Sequence, residues 1–217
     1  MMRVALLLVL LGSLSVPSTV HAQEPDAEET SELASVGQPS GMPANYVAVT
    51  PAERIDWLLE GQVSPRSNGV GVLSAWWQTT WVTPEEWGFS WSGFGKRYLE
   101  RQADIAISGG LEAGVGAIWG EDPRYIPCSC RRFWQRTRWA MKTVLLAPRP
   151  DGHLAPAWGR VVGNTLNNVI ENAWLPPSVT TPGETTLRSV NGFLGRLAGN
   201  LFDEFWPDVA RWLSRRR

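Results

Sequence analysis

Histidine and cysteine are nearly missing from this chain, with two of each among 217 residues. So few imidazoles exclude a histidine-rich metal centre, and two cysteines exclude a disulfide scaffold. Lysine is scarce too, because 18 of the 20 basic residues are arginine. Twenty bases against 21 acids leave a net charge of −1, so overall electrostatics names no partner. No apolar run approaches the roughly 20 residues that a membrane-spanning helix requires. A GxSxG elbow, a phosphate-cradling glycine loop and an HExxH zinc motif are all absent. No catalytic residue, metal ligand or cofactor is therefore assigned.

The two cysteines stand together in Cys128-Ser129-Cys130. That spacing is tight for an internal disulfide, which leaves reduced thiols, pairing between chains or weak binding of a soft metal open. His153, in Pro150-Asp151-Gly152-His153, reads as part of a surface turn rather than as a general base. Carboxylates are the remaining acid–base candidates: Glu121 and Asp122 after one long helical pattern, Asp208 in the last, and Asp104 on a polar stripe. Asp104 follows Arg101 by three residues, the spacing of a helical ion pair. Such acids are expected to pair with arginines.

Thirteen tryptophans spread along the chain are the compositional surprise. The 43% apolar and 19% charged content describes a folding chain of one domain, or at most two. Arg3, the apolar run Val4–Leu11 and the small residues at Val20-His21-Ala22 predict a secretory signal peptide over residues 1–22. Residues 23–45 hold five acids and no base among Ser, Pro, Gly and Ala, the composition of a disordered acidic linker. Residues 46–217 are expected to form a single helical domain. Without Arg3 and those five acids, 19 bases face 16 acids.

Three segments repeat one helix-start signal: Thr50-Pro51-Ala52-Glu53, Thr83-Pro84-Glu85-Glu86 and Thr181-Pro182-Gly183-Glu184. Threonine suits the N-cap, proline the first helical position, and glutamate the capping-box position. The first predicts a helix over Pro51 to Glu60, closed by Gly61. The second predicts only a turn, given the glycines and serines behind it. The third opens a long helix, with Pro207 expected to interrupt it. Periodic apolar residues add helices over Phe94 to Trp119, Phe133 to Leu145 and Val162 to Ala173. No alternating runs call for a sheet. The expected fold is all-α, a compact bundle of about five or six helices.

Glycines four apart (Gly110/Gly114, Gly116/Gly120, Gly159/Gly163, Gly195/Gly199) predict faces on which helices approach closely. Asn164, Asn168 and Asn172 form a row where a surface helix would carry Glu or Lys, so the row should face protein. The uncharged stretch Ser67 to Pro84, with Trp76, Trp77 and Trp81, suits an interfacial helix or aromatic core filling. From Arg124 to Arg149 there are seven bases and no acid, and the chain ends with Arg215, Arg216 and Arg217. Behind an export signal, the expected partner is an anionic membrane surface or envelope polymer, not nucleic acid. Homo-oligomers through the Gly/Asn faces are also expected.

Several short motifs occur in order: Glu86-Trp87-Gly88, Gly93-Phe94-Gly95-Lys96-Arg97-Tyr98, Ala103-Asp104, Glu121-Asp122-Pro123-Arg124-Tyr125, Gly163-Asn164 and Glu204-Phe205-Trp206-Pro207-Asp208. The series, roughly Trp81 to Leu213, resembles a family of uncharacterised secreted bacterial envelope proteins. Pro127-Cys128-Ser129-Cys130 and Trp174-Leu175-Pro176 depart from its pattern. The resemblance implies export and a helical fold, and no activity. Arg97, Arg101, Asp104, Glu121, Asp122, Arg124, Tyr125, Asn164, Asn168, Trp206 and Asp208 are the candidate interaction or structural residues. The expected function is that of a non-enzymatic envelope protein, periplasmic or outer-membrane-associated. A carboxylate hydrolase of wall or lipid material and a small lipid carrier are the alternatives.

Overall fold

The computed structural model describes residues 41–216. The leader expected over residues 1–22, and the acidic linker up to residue 40, lie outside the described residues. Gly41 and Met42, assigned to that linker, instead touch the body. Met42 is buried, and the Gly41 carbonyl accepts from the Ser129 amide at 3.0 Å. A side chain on Gly41 would collide with the Trp139 indole, which the segment covers.

Six α-helices follow in order among the described residues: α1 (Pro51–Val63), α2 (Pro65–Thr80), α3 (Trp91–Ile118), α4 (Phe133–Leu145), α5 (Trp158–Glu171) and α6 (Pro182–Ser214). The all-α bundle is the expected class. One addition is a two-stranded antiparallel ribbon, β1 (Leu146–Pro148) against β2 (Leu154–Pro156), which pairs Ala147 with Ala155. Three-residue strands are too short to leave an alternation in the sequence.

The capping signals do their local work. The Thr50 side chain accepts from the Glu53 amide, and the Glu53 carboxylate accepts from the Thr50 amide at 2.7 Å. Thr181 caps α6 in the same way, through the Glu184 amide. The middle signal opens only a short 3₁₀ turn, Glu85–Trp87. Helices α3 and α5 start at Trp91 and Trp158, earlier than expected, and two expected stops move. Helix α1 runs past Gly61 to Val63, because the actual stop is Ser64-Pro65, where the residue before proline leaves the helical region. Ser64 then caps α2 through the Ser67 amide. Helix α6 runs through Pro207 to Ser214 instead of breaking there. The Arg136 guanidinium donates to the Glu204 carbonyl, beside the Asp203 carbonyl that the proline leaves without a donor.

The tightest contact in the bundle is the antiparallel pair α3–α5. A Cβ on Gly159 would lie 2.6 Å from the Gly116 nitrogen, and one on Gly163 would lie 2.8 Å from the Ser108 carbonyl oxygen. Backbone meets backbone there, as glycines four apart allow. The Gly110/Gly114 and Gly195/Gly199 pairs differ, with nothing within 4 Å of their missing side chains.

What fills the interior is unusual. Buried apolar side chains number eight among the described residues, and five of them are alanines. Twelve buried side chains are polar or charged. The largest with almost no exposure are Arg97, Glu171, Glu204, Asn167 and Asp122, residue types that folded proteins rarely bury unless paired. Large apolar residues lie outside instead: Trp91, Leu99, Ile118, Trp134, Val169, Leu194 and many others are exposed. Helix α5 states the reversal most plainly. Its Arg160, Asn167 and Glu171 point inward while Leu166, Val169 and Ile170 point outward.

Candidate functional site: a charged interior

The polar interior is a chain of ion pairs and hydrogen bonds laid along α3, α5 and α6. At its centre Glu112 of α3 lies between two arginines. Arg160 Nε donates to it at 2.9 Å and Arg196 Nη2 at 2.8 Å. Arg160 also donates to the Thr143 and Val144 carbonyls, the C-terminal end of α4 where a cation complements the helix dipole. Burial and the neighbouring Arg196 push the Arg160 guanidinium down to about 10, so it remains charged at neutral pH. Arg196 reaches on to the Pro123 carbonyl at 2.7 Å.

Next along, the Glu121 carboxylate accepts from the Trp158 and Gly159 amides, capping α5 across 37 and 38 residues of sequence. A negative charge at a helix N-terminus is favourable, and Arg149 faces the same carboxylate at 3.4 Å. Asp122, fully buried, holds Arg124 through its amide and guanidinium and accepts from the Tyr46 hydroxyl at 3.1 Å. Burial and the Asp122 charge drive that tyrosine well above the usual phenol range. Arg124 then ties Asp122 to the Val47 carbonyl and to Glu53 of α1.

Two of the motifs meet directly. The Tyr125 hydroxyl donates to Glu204 at 2.6 Å, and the Cys128 amide donates to the same oxygen at 2.9 Å. Arg136 Nε holds the other Glu204 oxygen, and Arg136 also pairs with Asp208. Hydrogen bonds from Arg136 and Arg211 keep Asp208 below the usual carboxylate range. Trp206 lies exposed on the opposite side of that turn. Cys128 and Cys130 are joined as a disulfide, against the expectation from their spacing. The chain turns at Ser129 sharply enough to bring their Cα atoms to 5.0 Å, within disulfide reach.

A fourth cluster lies between α3, α5 and α6. Arg101 pairs with Asp104 at 2.6 Å, as their spacing predicts. Asn167 donates to Asp104 at 2.7 Å and to Glu171 at 2.9 Å, and Arg188 faces Glu171 at 3.6 Å. This cluster is the least satisfied, since Asn167 Oδ1 and Arg188 Nε and Nη1 lack hydrogen-bond partners. Burial together with the nearby Asp104 charge pushes Glu171 up to about 8 and Glu100 up to about 7. The asparagine row does face protein. Asn164 donates to the Ser189 carbonyl at 2.7 Å, and Asn172 donates to Thr185 at 3.0 Å. Asn168 turns back onto the Asn164 carbonyl of its own helix, and its own carbonyl accepts from Arg188.

Arg97 stands apart from these clusters and has no acid beside it. Its guanidinium donates to the carbonyls of Thr83 at 2.7 Å, Pro84 at 2.9 Å and Gly88 at 3.0 Å. Gly88 turns with φ +60°, and a Cβ on Gly93 would sit 2.2 Å from the Trp87 carbonyl oxygen. The Glu86-Trp87-Gly88 and Gly93-to-Arg97 motifs are therefore one buckle, closing the α2–α3 connection around a buried cation.

The eleven sequence-selected residues thus divide. Nine of them join the hydrogen-bonded clusters, Arg97 forms a separate buried site at the α2–α3 connection, and Trp206 is a surface residue. The four acids proposed for acid–base chemistry do not converge; each faces an arginine. Sequence reasoning passed over Arg160, Glu171, Arg188, Arg196 and Tyr46. The available signal was the helical spacing of Arg160, Gly163, Asn167 and Glu171, a polar stripe opposite apolar neighbours that is ordinarily assigned to water. A cleft of about 180 Å³ is lined by Thr83, Pro84, Glu85, Ser178, Val179 and Glu184. No described helix is long and apolar enough to cross a membrane. Compared with family models, curated proteins and solved structures, the chain matches none.

Proposed function

We propose that this chain is an exported, non-enzymatic cell-envelope protein that works at a membrane, with its apolar outer surface against lipid and its charges folded inward. The observation that carries the reading is the reversed polarity of the bundle, above all of α5. In water, exposed apolar surface on this scale is a liability that monomeric proteins avoid. Against lipid it costs nothing, while polar groups gain most from being paired inside. The leader-like N-terminus and the ordered motif series support export. The pairing of Asp104, Glu121, Asp122 and Asp208 with arginines weighs against a carboxylate hydrolase.

Self-association is the second reading, favoured by the open Gly110/Gly114 and Gly195/Gly199 faces. Fractionation after expression in a bacterial host tests the first. The expected result is a membrane pellet that keeps the protein through a high-salt wash and releases it to detergent. Recovery wholly in the soluble fraction, at low salt and without detergent, would overturn the membrane reading.

A further inference from the structure

Helices α4 and α6 run antiparallel, because Phe133 stacks near Phe205 with ring centroids 5.1 Å apart while Ala140 lies beside Asn200. The start of α4 therefore adjoins the last three turns of α6. Exposed cations gather along this edge: Arg131, Arg132 and Arg138 from the α4 side, Arg211, Arg215 and Arg216 from α6. Five of these six have no ion-pair partner among the described residues; Arg211 meets Asp208. The three acids of this part of α6 are already engaged, Asp203 by Arg66, Glu204 by Tyr125 and Arg136, and Asp208 by Arg136 and Arg211. Exposed indoles lie in the same two segments, Trp134 in α4 and Trp212 in α6, with the Arg216 guanidinium 3.8 Å over the Trp212 ring.

We infer that this α4–α6 edge is the part of the protein that sits in the headgroup layer of an anionic bilayer. The inference rests on the lipid-facing reading above and adds to it an orientation and a lipid class. Charge complementarity supplies the first argument, since unpaired guanidinium groups form bidentate contacts with phosphate. Continuity supplies the second. The edge runs directly into the apolar outer side of α6, where Leu187, Val190 and Leu194 are exposed. Indoles collect where an apolar face gives way to charge, the position they take at a bilayer surface. A soluble polyanion would match the arginines and leave the adjoining apolar face uncovered. A bilayer matches both.

The test is co-sedimentation of the full chain with extruded vesicles of phosphatidylcholine alone or mixed with phosphatidylglycerol. Wild type should favour the anionic vesicles, with a preference that weakens as salt is raised. A variant carrying R131Q, R132Q, R138Q, R215Q and R216Q should lose at least tenfold in binding to anionic vesicles, since each surface arginine is worth about fivefold. Its melting temperature should stay put, because none of these side chains makes a hydrogen bond or ion pair among the described residues, and the Arg216 contact is with an exposed indole. R131Q/R132Q/R138Q alone should give an intermediate loss and serves as the second variant. Equal binding to both vesicle types, or undiminished binding by the variants, would overturn the edge and leave the lipid-facing reading standing. Binding to neither vesicle type would overturn both. Arginine-dependent binding to a duplex oligonucleotide without binding to vesicles would assign the edge to nucleic acid and overturn the inference.

Discussion

Charged side chains survive inside this bundle because almost every one is enclosed by complementary groups, and the exceptions predict its pH behaviour. Glu100 and Asp104 of α3 and Glu171 of α5 share one region with Arg101 and Arg188, so the fully ionised cluster carries a surplus negative charge. Glu171 and Glu100 hold their protons up to about pH 8 and 7, whereas in the unfolded chain they release them near the ordinary carboxyl value. The folded state therefore binds more protons between those limits, and stability falls as pH rises through 7 and 8. Thermal melts from pH 5 to pH 9 should show a falling midpoint, and Glu171→Gln should flatten that decline. A midpoint that climbs over this range would contradict the account. Legibility at this scale follows sequence distance. Arg101 and Asp104 lie three apart on one helix, so their pairing can be read directly. Tyr125 and Glu204 meet across 79 residues, and no local rule connects them.

Helices and their ends were largely readable, because caps and stops act within four residues. Thr50 and Thr181 behave as their local chemistry requires. Gly61 misleads because the effective stop is the nearby Ser64-Pro65, and Pro207 because Arg136 of α4 donates to the helix backbone at that turn. Glycine spacing falls between these cases. It identifies a face that permits close approach, and only the partner helix decides whether the permission is used. Gly163 and Gly110 make this a measurement. Gly163→Ala would place a methyl group against the Ser108 and Glu112 backbone of α3, at a cost of about 1–3 kcal/mol. Gly110→Ala meets open space and should stabilise α3 by up to about 1 kcal/mol. Paired denaturation curves check both, and equal effects of the two substitutions would refute the distinction.

Over the whole molecule, the all-α class was legible from periodicity, whereas the direction of burial was not. A helix pattern divides two faces without saying which faces inward, and the ordinary assignment of polar residues to water fails here on α5. Asparagines in place of glutamate and lysine were a local clue, as was the spacing of Arg160, Gly163, Asn167 and Glu171. The tryptophans provide a readout of the reversal. Ten of them, including Trp76, Trp91 and Trp134, are exposed, and Trp139 is buried. Indole emission should shift strongly to the blue when the protein moves from dilute buffer into mild detergent or lipid, with little change in helical circular dichroism. An unchanged emission maximum would place those rings in a dry environment already.

The alanine-and-ion-pair core also has a calorimetric consequence. Unfolding exposes few new carbon atoms to water, and newly wetted hydrocarbon is what raises the heat capacity of a denatured chain. The increment should fall below the usual ~12–15 cal/mol/K per residue. The stability curve of this protein should accordingly be flat in temperature, with cold denaturation displaced far below freezing.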